Sequence, residues 1–93
     1  MIFDPPLDKG IARAVLILDA AGVETFESCE GGPRHAFPEP TVRFHGTPAA
    51  GWTALGVCLD NGLPIVHLRR VWDVLDGHEP HGAYWEVVFR KLG

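Results

Sequence analysis

Apolar and polar positions follow two rhythms along this chain, and the rhythm changes wherever Gly and Pro cluster. Leu7, Ile11, Val15 and Leu18 recur at helical spacing. Asp4 is placed to cap that run, Pro5 and Pro6 fall in the first turn, where a missing N–H costs nothing, and Gly22 stops it. The pattern predicts a helix from Pro5 to Ala21. Gly10 weakens this helix by about 1 kcal/mol relative to Ala, so packing must hold it. Val23, Thr25 and Phe26 then favour a strand from Val23 to Cys29. The next stretch, CEGGPRHAFPEP, is too rich in Pro and Gly for regular structure. Thr41 to His45 reads as a second strand, with Val42 and Phe44 on one face and Thr41, Arg43 and His45 on the other.

The same order then recurs. Gly46-Thr47-Pro48 provides a turn, a cap and a first-turn proline. A helix from Pro48 to about Asp60 is expected to bury Trp52, Leu55 and Leu59 before Asn61-Gly62 ends it. Val66 to Val74 reads as a strand with Val66, Leu68, Trp72 and Val74 on its apolar face, where Arg70 is out of place. The segment DGHEPHG, Asp76 to Gly82, reads as a turn. Ala83 to Lys91 closes the chain as a strand burying Trp85, Val87 and Phe89.

The element order is therefore αββαββ, in two helix–hairpin halves of about 4–46 and 47–93 that share no sequence identity. Hairpins are local, so the natural closure is an α+β domain: one four-stranded antiparallel sheet with two helices packed on one face. The second sheet face stays partly open, and Arg43, His45, His67, Arg69, Tyr84 and Glu86 are expected on it. A wet face is ordinary for an antiparallel sheet. One carrying so many charges and polar rings also suits an interface, including one between two copies of the chain.

Ninety-three residues fit a single domain, and 22% charged residues is too few for disorder. The net charge of −4 lacks the basic face that a phosphate backbone requires, since only Arg69-Arg70 and Arg90-Lys91 are basic doublets. Direct nucleic-acid binding is not expected, although one or two Arg suffice for a small anion. The first residues form no basic-then-apolar leader, and the apolar run Ala14 to Leu18 is far too short to span a bilayer. The expectation is a cytoplasmic protein away from membranes, with Cys29 and Cys58 as free thiols.

Candidate chemistry concentrates between Ser28 and Pro40, a connection longer than a hairpin needs. Gly31 and Gly32 offer bare backbone N–H groups for an anion-binding hollow, beside Ser28 and Cys29, with Arg34 and His35 to add charge and a titratable donor. The alternative is that the glycines permit positive φ and the prolines stiffen a plain loop. Cys29, His35, His78 and His81 are chemically a zinc set, but their spacing matches no zinc signature, and surface histidines explain them more simply. Cys29 between Glu27 and Glu30 has its thiolate disfavoured, so neither catalytic residues nor a cofactor are assigned, and both acids read as solvated loop residues. The three Trp read as core or half-buried anchors, and Cys58 as a small buried residue.

From Gly22 to Phe44, GVETFESCEGGPRHAFPEPTVRF resembles small uncharacterised phage and prophage proteins. These carry a helix, a Gly-Val/Ile-x-Thr strand, a Ser-Cys-x-Gly turn and a nearby His. A fainter likeness, at Ser28, Cys29 and Gly31, is to the opening of the wybutosine-pathway tRNA methyltransferases. Gly32 stands where that family has a basic residue, and its activity is not carried over. The phage resemblance implies an accessory protein in the host cytoplasm that counters host defence. One form of that role sequesters a small anionic ligand such as a nucleotide signal through Ser28, Cys29, Gly31, Gly32, Arg34 and His35. The alternatives are an anti-CRISPR-like inhibitor docking on a host defence protein through Arg43, His67, Arg69 and Tyr84, or a non-catalytic structural protein.

Overall fold

A computed structural model describes residues 9–33, 37–74 and 80–91 of the chain. Its elements are α1 (Lys9–Ala20), β1 (Glu24–Cys29), β2 (Thr41–His45), α2 (Pro48–Asp60), β3 (Ile65–Val74) and β4 (Pro80–Phe89). The strands form one sheet in the order β1-β2-β4-β3, and every neighbouring pair is antiparallel. This is the expected α+β architecture. The first four residues of the expected opening helix, with Leu7, lie outside the described residues. The last strand begins at Pro80, so the end of the expected turn DGHEPHG is strand instead.

Both helices end with the same device. Gly22 (φ 84°) and Gly62 (φ 68°) take left-handed conformations, and the next residue's N–H reaches back five positions, Val23 to Leu18 O at 3.0 Å and Leu63 to Cys58 O at 2.9 Å. That turn delivers Val23 and Leu63 into the core, where both are buried. One cluster joins Ile11, Ala14, Val15 and Leu18 of α1 and Ala54 and Cys58 of α2 to Val42, Phe44, Trp85, Val87 and Phe89 of the sheet. Each such large apolar side chain contributes about 1.5–3 kcal/mol by leaving water.

Helix α2 buries a different stripe from the one its apolar residues suggest. Gly51, Ala54 and Cys58 face the sheet, while Trp52 is 67% and Leu59 60% exposed and Leu55 is half-buried. The reason lies on β4: a Cβ at Gly51 would overlap the Trp85 ring. The helix must present its smallest side chains to approach so close. Trp85 is thus the buried tryptophan, with its indole N–H donating to Thr47 O at 2.9 Å, whereas Trp52 and Trp72 are exposed.

Strand β3 also differs from expectation. Its register with β4 slips between Ile65 and His67, which takes Val66 out of the regular alternation and leaves it exposed. Leu68 and Arg70 then face the helices. Arg70 is accommodated at the margin, its guanidinium 5.0 Å from the Trp85 ring centre and donating to Gly46 O at 2.7 Å. Beyond it, β3 and β4 run past the end of β2 as a two-stranded ribbon. Among the described residues no third strand lies there, and Trp72 and Val74 are each 59% exposed.

Candidate functional site

Among the described residues no helix or strand covers the sheet face away from the helices, and three different arrangements occupy its length. At the β1–β2 loop end, the connection folds back tightly. The Gly31 N–H points to Cys29 Sγ at 3.4 Å, the Gly32 N–H donates to Pro38 O at 3.0 Å, and Thr41 Oγ1 donates to Glu39 O at 2.8 Å. A Cβ on Gly31 would collide with the Glu39–Pro40 backbone, so glycine is required there by close approach. Cys29, Thr41 and Val88 are buried at this end.

Across the middle runs a ladder of alternating charge, one residue from each strand. Arg43 of β2 donates to Glu27 of β1 at 2.9 Å and to Glu86 of β4 at 2.9 Å, and Arg69 of β3 donates to the other Glu86 oxygen at 3.1 Å. The register dictates this order, since Glu27, Arg43, Glu86 and Arg69 are successive cross-strand partners. The Glu86 side chain is only 9% exposed, and both its oxygens are satisfied by cations. Arg43 also lies 4.7 Å from the Phe37 ring centre and 5.1 Å from that of Tyr84. Burial works against its charge, but the Glu86 hydrogen bond and the nearby Tyr84, Glu27 and Glu86 outweigh that and raise its pKa.

The third arrangement is aromatic. The β1–β2 register shifts between Thr25 and Glu27, and Phe26 at that bulge stacks on His45 at 4.3 Å and meets Tyr84 edge-on at 5.4 Å. The Tyr84 hydroxyl donates to both Asp73 oxygens, at 3.1 and 3.2 Å. Burial raises the Tyr84 pKa, Arg43 opposes that, and the Asp73 hydrogen bond and the Asp73 and Glu86 charges add to it. A cavity of about 380 Å³ opens here, lined by Phe26, Arg43, His45, Asp73, Gly82, Ala83 and Tyr84. Its size is in the usual range for small-molecule sites.

The two sets of residues singled out from sequence fare differently. Arg43, His67, Arg69 and Tyr84 all lie on the open face, together with His45 and Glu86. Arg43 and Tyr84 also line the cavity. In the loop set, Ser28 opposes Val42 and Cys29 opposes Thr41, so strand alternation sends their side chains to opposite faces of the sheet. The N–H groups of Gly31 and Gly32 point to partners within the loop, while Arg34 and His35 lie outside the described residues. Glu27 is a strand residue in an ion pair and not a solvated loop acid. Cys29 and Cys58 are free, buried thiols on opposite sides of the sheet, and burial pushes the Cys58 thiol up to about 11.

Sequence reasoning missed Phe26, Phe37 and Asp73 as parts of this face. Asp73 was reachable, because it shares the odd-numbered face of β3 with His67 and Arg69. Phe26 was not, since only the bulge turns it to that side. His35 and His78 are outside the described residues, as is the side chain of His81, and no cluster of three potential metal ligands occurs among the described residues. No described helix is long and apolar enough to cross a membrane. Compared with known protein families, curated proteins and solved structures, the chain matches none.

Proposed function

We propose that this chain is a small binding protein whose ligand carries a flat ring, a nucleobase being the leading candidate, seated at the aromatic end of the open sheet face. The observation that carries this reading is the 380 Å³ cavity bordered by Phe26, His45 and Tyr84, with the Asp73 carboxylate beside them. Aromatic side chains accept any base by stacking, and a carboxylate accepts hydrogen bonds from ring N–H or exocyclic amino groups. Sequestration of a nucleotide signal, the role the phage resemblance implies, follows as the biological form of this binding. The charge of Arg43 is already balanced by Glu27 and Glu86. The cavity therefore favours the uncharged part of the ligand.

Calorimetry with nucleosides, nucleotides and cyclic oligonucleotides tests this directly. A nucleoside alone is expected to bind, and Phe26→Ala to weaken binding by at least about tenfold, the lower end of what one stacked base contributes. Unchanged affinity in Phe26→Ala overturns the cavity as the site. The docking alternative draws support from the exposed Trp72 and Val74, because large exposed aromatics are the commonest anchors of protein interfaces.

A further inference from the structure

Among the described residues the sheet ends in two unpaired edge strands, β1 and β3, and they are built differently. The β1 edge is six residues long, irregular at Phe26, and its charged residues are Glu24 and Glu27, with no base among them. An acidic, bulged edge resists pairing with another strand. The β3 edge is ten residues long, and β3 adds no extra residue to the ladder after Val66; at Val71/Trp72 the extra residue, Ala83, belongs to β4. From His67 to Val74 every residue is exposed except Leu68 and Val71, which are half-buried. It carries both signs of charge, in the order Arg69, Arg70, Asp73.

We propose that the β3 edge pairs antiparallel with the β3 edge of a second copy, about a two-fold axis through Val71, to form one continuous eight-stranded sheet. The register follows from side-chain complementarity. Centred on Val71, the pairing sets Arg69 opposite Asp73 of the second copy on the open face. It sets Arg70 opposite Trp72 and Leu68 opposite Val74 on the helix face. Each is a favourable cross-strand pair: opposite charges, a cation with an aromatic ring, and two apolar side chains. Val71 opposes its own copy, a β-branched pair.

The neighbouring registers lack this fit. A slip that turns residues to the other face would put polar positions against apolar ones, so only shifts that keep the faces aligned compete. Centring on Arg70 sets two guanidinium groups against each other, and centring on Arg69 does the same. Centring on Trp72 leaves Arg69 without the Asp73 opposite. The pairing also covers the exposed Trp72 and Val74 and leaves both open faces on the same side of the assembly. Because the contact is isologous it closes as a dimer, whereas joining β3 to the β1 edge of another molecule would propagate without end.

Sedimentation equilibrium and a cysteine cross-link test both the state and the register. The protein is expected to sediment as a monomer–dimer equilibrium with no larger species. Opposed residues in an antiparallel pair have Cα atoms about 4.5–5.5 Å apart, within disulfide range. Val71→Cys is therefore expected to yield a disulfide-linked dimer on mild oxidation, at least about tenfold faster than Val74→Cys, whose copies lie some six residues apart along the paired strands. A monomer at millimolar concentration overturns the proposal. So does growth into larger oligomers, or a dimer in which Val74→Cys links as fast as Val71→Cys. Sedimentation of the unaltered chain keeps the state testable if either variant fails to fold.

Discussion

The two faces of this sheet solve the same problem by different physics. On the helix face, Phe44, Val42, Val87 and Phe89 are fully buried under α1 and α2, and the attraction is non-directional: any shape that fills the space contributes. On the open face no helix is layered among the described residues. A returning loop covers one end, a salt-bridge ladder crosses the middle, and three rings border a cavity at the other end. Ion pairs demand geometry, and a buried glutamate between two cations tolerates little movement. The difference teaches that a ladder of this kind can hold an uncovered face in order while leaving space beside it, which a packed hydrophobic layer would fill.

Substitutions that separate the two mechanisms test this contrast. The largest effect is expected at Phe44, fully buried among both helices. Phe44→Ala should cost about 3–5 kcal/mol in a urea titration, from lost transfer energy plus the cavity left behind. A cost below about 1 kcal/mol would mean that the helices do not press on this face as described.

Next comes alkaline pH, which probes burial on both faces. The Cys58 thiol is held protonated by burial, with its pKa raised from 9.0 to about 11, and Tyr84 on the open face is raised as well. In both cases the folded state binds the proton more tightly than the unfolded chain. The stabilisation is therefore complete below the unfolded pKa and is lost as pH rises through the folded one. For Cys58 the melting temperature is expected to fall between pH 9 and 11, corresponding to at most about 3 kcal/mol. Cys58→Ala should flatten most of that slope. A profile equally steep in Cys58→Ala would assign the loss to the open face instead.

The smallest of the three effects is expected at Glu86. Glu86→Gln keeps the shape of the side chain but removes the charge shared by Arg43 and Arg69. Because Arg69 is half-exposed and Arg43 keeps Glu27, the cost should be about 1–2 kcal/mol, less than the roughly 3–5 kcal/mol of breaking a fully buried pair. A loss as large as that of Phe44→Ala would erase the distinction between the faces. No loss at all would reduce the ladder to a surface ornament, and the order of the cavity would need another source.

The fold was more legible than the site. Periodicity placed β2 and α2 at their observed boundaries because turn residues and prolines act locally: Pro48 starts α2, although the Thr47 side chain makes no capping hydrogen bond, and Asn61-Gly62 ends it. Alternation likewise put Arg43, His67, Arg69 and Tyr84 on one face. The loop that attracted attention for its glycines illustrates the opposite case. Gly31 is needed where the chain passes against Glu39 and Pro40, a packing constraint that has the same sequence signature as an anion-binding turn.

What the sequence determined by itself is the order of elements, their ends, and the sorting of most strand residues between two faces, since each depends on neighbours within a few positions. Tertiary structure decided the rest. The stripe Gly51, Ala54 and Cys58 became the contact face of α2 only because the Trp85 ring lies beneath it, and Trp52 was left outside for the same reason. Arg70 found its place over that ring, Phe26 reached the open face through a bulge, and Glu27 met Arg43 through strand register. These outcomes depend on distances between residues far apart in the chain, which local periodicity does not encode.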